Sequence, residues 1–84
     1  MKVVDIKKLL CELGSHYSKL SALEGDAGMY WELYDITQYL LDALVDNGLR
    51  RGYTLALNEK RQEYKDQPKI IDIINKIETV TLSK

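Results

Sequence analysis

Residues 29–46 read MYWELYDITQYLLDALVD. Met29, Leu33, Ile36, Leu40 and Leu44 recur every three or four positions, the repeat of an α-helix. At 100° per residue, Tyr30, Tyr34, Leu41 and Val45 widen the apolar arc to about 200°. An arc that wide packs against two or more neighbours, so the fold depends on which other segments can cover it. The stretch also holds four of the chain's seven aromatic residues and four acids, with no Lys or Arg.

Upstream, Val3, Ile6, Leu10, Leu13, Tyr17 and Leu20 are spaced 3, 4, 3, 4 and 3 apart, which predicts a helix over about Val3–Glu24. Leu9, His16 and Leu23 border this stripe. Gly14 lies inside it at a cost of about 1 kcal/mol relative to Ala, which leaves room for a bend or break near Gly14-Ser15. Gly25 is placed to end this helix, and Asp26 to cap the next, expected over Ala27–Asp46. Asn47 or Gly48 then suits a left-handed cap.

Downstream, Leu49, Tyr53, Ala56, Leu57 and Tyr64 form a narrow stripe over Leu49–Asp66. This holds if the helix runs through Gly52; otherwise Thr54 caps a shorter one. Pro68 fits the first position of a last helix. That helix would bury Ile70, Ile73, Ile74, Ile77 and Val80. No segment sustains period-2 alternation, and "TVTLSK" at 79–84 is too short to alter the reading. The expected fold is all-α, a small antiparallel bundle of three to four helices forming one domain over residues 1–84.

Composition agrees with a single small globular domain: 84 residues, 45% hydrophobic, 30% charged, net charge -1. The start "MKVVDIKKLLCELG" lacks the apolar run of a signal peptide. No stretch approaches the roughly 20 apolar residues of a membrane span. With Cys11 as the one cysteine, no internal disulfide forms, and a cytoplasmic setting is expected, without membrane contact.

Reactive groups are sparse. One Cys and one His do not supply the three or four ligands of a zinc site. Phosphate-binding glycine motifs are absent, and Glu24 and Asp26 would repel an anion from "GDAG" at 25–28. Cys11 and His16 lie roughly 140° apart on a helix, so they do not form a nucleophile–base pair. Cys11 falls on the polar side and His16 at the core edge. No enzymatic activity, metal or cofactor is expected.

Charge is distributed in two stripes. Six acids and no Lys or Arg lie between Leu20 and Leu49. Glu32, Asp35, Asp42 and Asp46 share an arc of about 80°, and Trp31, Gln38 and Tyr39 lie on or beside it, away from the Leu33–Leu40 stripe. Trp and Tyr are enriched at binding hot spots, and acids steer a basic partner. The expected function is therefore protein–protein interaction, as an adaptor, inhibitor or regulatory subunit. Its contact residues would be Trp31, Glu32, Asp35, Tyr39, Asp42 and Asp46. The competing reading buries Trp31 beneath the fourth helix or the N-terminal turn.

The alternative is nucleic-acid association through Arg50, Arg51, Arg61 and Lys65, which share an arc of about 100° if their segment is one helix. A pI of 5.8 and the interleaved Glu59, Glu63 and Asp66 weigh against it. An antiparallel hairpin would also set Asp42 and Asp46 near Arg50 and Arg51, partly neutralising both stripes. Apolar area beyond what 84 residues can cover points to a homodimer as a further arrangement.

Overall fold

The computed structural model describes residues 2–24 and 29–82. Gly25, Asp26 and the rest of the GDAG stretch lie outside the described residues. Four helices follow one another: α1 (Val3–Glu24), α2 (Met29–Gly48), α3 (Thr54–Glu63) and α4 (Pro68–Leu82). A π-helical turn, Leu49–Tyr53, leads directly into α3, and it meets the end of α2 at Gly48 with no intervening loop. No strand occurs among the described residues.

Side-chain pairings set the directions. Gly14 lies against Thr37 and Gln38 while Tyr17 lies over Tyr30, so α1 and α2 are antiparallel. Gly52 meets Ala43 while Tyr39 meets Glu59, so α3 returns along α2. Tyr53 meets Thr81 and Arg61 meets Asn75, which reverses α4 against α3. The result is the expected antiparallel bundle.

The core is the sum of the apolar stripes. Ile6 and Leu10 of α1, Leu33, Ile36, Leu40 and Leu44 of α2, Ala56 and Leu57 of α3, and Ile70, Ile74 and Ile77 of α4 are buried, together with Tyr53. The buried hydroxyls of Ser21 and Thr37 donate to carbonyls one turn back, at Ser18 and Tyr34. Among the described residues, every buried side-chain polar atom has a partner.

Several local expectations are corrected. α1 is unbroken at Gly14, which serves as a close-approach point: a Cβ there would lie 2.8 Å from Gln38 Nε2 and 3.3 Å from Thr37 Oγ1. His16 is exposed rather than at the core edge, its ring 5.7 Å from that of Tyr17. Val45 and Val80, assigned to apolar faces, are also exposed. The third segment is helical through Gly52, but as a wide π turn, and Thr54 does not cap it. Instead the Thr54 hydroxyl donates back to the Leu49 carbonyl. The reversal is made at Gly48, whose φ of 82° lies where side-chain-bearing residues are strained.

Tyr53 links α3 to α4 at the centre of the core. Thr81 gives its proton to the Ile77 carbonyl, so the Tyr53 hydroxyl donates to Thr81 Oγ1 at 2.8 Å. Burial raises the Tyr53 pKa above its ordinary 10.0, and the Glu78 charge adds to the shift. Below pH 10 the neutral phenol's contribution to stability is complete. Above it the unfolded chain ionises first, so stability falls with rising pH until the folded-state pKa is passed. Tyr53→Phe should cost about 1 kcal/mol at neutral pH and flatten that alkaline fall, as urea denaturation at neutral and alkaline pH would report.

Candidate functional site

The acidic and aromatic residues of α2 occupy the strip between the flank covered by α1 and the flank covered by α3. α1 takes the side of Thr37 and Gln38, and the π turn with α3 takes the side of Ala43 and Tyr39. Between them Asp35, Asp42 and Asp46 are exposed. Trp31 is 51% exposed, its indole meeting the Tyr34 ring edge-on at 6.2 Å. The reading that buries Trp31 is therefore set aside. From Trp31 to Asp46 the strip runs about 22 Å along the helix.

Glu32 and Tyr39 sit at the margin of the strip. Glu32 is half-buried and, with Met29, borders an open cavity whose far side is Gln67, Pro68, Lys69 and Ile70 at the start of α4. Tyr39 is 38% exposed and donates a 2.9 Å hydrogen bond to Glu59 of α3. That bond, followed by desolvation and the charges of Glu59 and Glu63, raises the Tyr39 pKa.

The Lys60 ammonium lies 4.4 Å from the centre of the Tyr39 ring and 6.0 Å from that of Tyr64, and 2.7 Å from Glu63 Oε2. Tyr39, Glu59, Lys60 and Glu63 line a shallow pocket of about 270 Å³. Tyr64 feels the same field: burial raises its pKa first, then the charges of Glu63, Glu32 and Asp35. The acidic region thus extends from α2 onto α3, and a cation already rests at its edge. The helical wheel of α2 alone does not bring Glu59, Lys60, Glu63 and Tyr64 to this face. The available signal was the hairpin itself, which sets position 39 opposite position 59.

The basic stripe does not assemble. Arg50 and Arg51 are exposed in the π turn, whose wider winding shifts them off the α3 register. The helix ends at Glu63, with Tyr64 already non-helical, so Lys65 belongs to the turn before α4. Arg61 faces α4, where its guanidinium donates to Asn75 and Glu78, and also to Asn58 on its own helix. The neutralisation expected at the hairpin end is also absent. The ion pairs among the described residues are Lys60–Glu63, Arg61–Glu78 and Asp72–Lys76, and none joins Asp42 or Asp46 to Arg50 or Arg51.

Reactive groups are not brought together either. Cys11 and His16 are both exposed on α1, and no group of three or more His, Cys, Asp or Glu stands as a metal site among the described residues. No helix is long and apolar enough to cross a membrane among those residues. No protein-family model, curated protein or solved structure matches the chain.

Proposed function

We propose that this chain is a non-catalytic protein-interaction module that binds a basic surface of a partner protein in the cytoplasm. Trp31 would be the anchor, with Glu32, Asp35, Asp42 and Asp46 guiding the approach and Tyr39 contributing its ring. The observation that carries the reading is the half-exposed indole on a helix that has four acids and no Lys or Arg. A large aromatic left in water on a small domain is an unused contact area of the kind that dominates interface energetics. The Lys60 ammonium resting over Tyr39 and paired with Glu63 illustrates, within one chain, the chemistry by which this region would accept a lysine or arginine.

The alternative of nucleic-acid association is weaker because Arg61 is engaged by α4 and the remaining basic residues are dispersed. The test is capture of partners from a lysate by the tagged full chain, with and without nuclease, using the native protein and Asp35→Asn/Asp42→Asn. A discrete protein that survives nuclease and is depleted by the double variant supports the reading. Recovery of nucleic acid, or loss of every partner on nuclease treatment, would transfer the function to Arg50, Arg51 and Lys65.

A further inference from the structure

α1 carries a second apolar seam besides the one it buries. Leu9, Leu13, His16, Leu20 and Leu23 are spaced 4, 3, 4 and 3 apart, the a/d repeat of a helix that pairs with another helix. The intramolecular stripe takes Ile6 and Leu10 to full burial and shares Leu13 and Leu20 with this seam, which turns outward through Leu9, His16 and Leu23. Leu9, Leu13 and Leu20 are half-covered, His16 is exposed, and Leu23 is 83% exposed. Beside the seam, α1 and α4 do not close on each other. They leave a largely apolar groove of about 220 Å³ lined by Leu9, Leu13 and Tyr17 on one wall and Ile73, Lys76, Ile77 and Val80 on the other.

We propose that the occupant of this seam and groove is α1 of a second copy of the chain, packed antiparallel about a two-fold axis near His16. That arrangement sets Leu23 of each copy opposite Leu9 of the other and Leu20 opposite Leu13. The most exposed leucine of the seam thereby enters the apolar groove, and the contact is made twice.

Charge placement selects a second copy over an unrelated helix. Glu12 and Lys19 lie seven residues apart on the same flank of the seam, about 20° from one another around the helix. Both are exposed, and among the described residues neither forms an ion pair. In antiparallel pairing like flanks face each other, so Glu12 of one copy meets Lys19 of the other, and the two-fold axis repeats the pair. The acidic face of α2 takes no part in this contact.

Sedimentation equilibrium of the full chain tests the proposal across the micromolar range. A reversible dimer is expected. Leu23→Glu should weaken it at least about tenfold. Glu12→Lys should weaken it by setting Lys against Lys19, and Glu12→Lys with Lys19→Glu should recover native association. All three positions involved in these changes are exposed, and circular dichroism checks that helix content is kept. Should Leu23→Glu lose helicity, the charge pair decides alone. A monomer at every concentration, a dimer indifferent to Leu23→Glu, or a double exchange no better than Glu12→Lys would overturn the proposal.

Discussion

Gly52→Ala is expected to destabilise the bundle strongly. An alanine Cβ there would stand 2.1 Å from the Ala43 carbonyl oxygen, 2.9 Å from its carbon and 2.8 Å from Asn47 Cβ. The nearest obstacle is helix backbone, which no rotamer change can move. Relief requires α3 to leave α2, and with it the buried Tyr53, Ala56 and Leu57. A cost of at least about 3 kcal/mol follows for forced separation of packed elements. A domain of this size has about 4–12 kcal/mol in total. The melting temperature should fall by at least about 12 °C. Gly14→Ala is the matched control. Its nearest neighbour is the flexible end of Gln38 at 2.8 Å, and the helix gains about 1 kcal/mol from the better helix former. Stability should change by no more than about 1 kcal/mol there. Equal effects at the two glycines would show that α2 and α3 do not approach as described.

Leu40→Ala is expected to cost about 2–5 kcal/mol. Leu40 has no exposed surface, and it sits midway along the one helix that α1 and α3 both cover. The neighbours that would have to close the resulting cavity are themselves fixed, because α1 is held at Gly14 and α3 at Gly52. Incomplete collapse places the cost toward the upper part of the range. Urea denaturation gives the value. A loss under about 1 kcal/mol would mean that the bundle relaxes around the gap and is less closely packed at this level.

Most of the fold was legible because three of the apolar stripes are long and regular. The periodicities of α1, α2 and α4 identified Ile6, Leu10, Leu33, Leu40, Ile70 and Ile74 as inward-facing, and Pro68 marked the start of α4 as expected. What escaped was geometry that a fixed 100° step does not represent. The π turn at Leu49–Tyr53 winds more widely than an α-helix, so angular positions carried across it no longer apply, and the supposed arc of Arg50, Arg51, Arg61 and Lys65 dissolves. Gly14 was read as a weak point because propensity penalises glycine in a helix, whereas contact with α2 makes use of its missing side chain.

The candidate site was partly legible for a similar reason. The acids of α2 and Trp31 share one helix, so a wheel places them together. Glu59, Lys60, Glu63 and Tyr64 reach the same surface only through the hairpin, and their pairing with Tyr39 depends on how the turn is wound. His16 was misplaced because α1 leaves its outer flank uncovered, a consequence of how far apart α1 and α4 stand rather than of any local sequence.

The most direct test of the binding face is Trp31→Ala in the full chain, with partner retention after nuclease compared with the native protein at matched thermal stability. A half-exposed indole at an interface predicts loss of at least about tenfold in retained partner, with a melting temperature changed by no more than about 4 °C. Unchanged retention, or a marked fall in melting temperature accompanying the loss, would contradict a binding role for Trp31 and return it to the packing of the bundle.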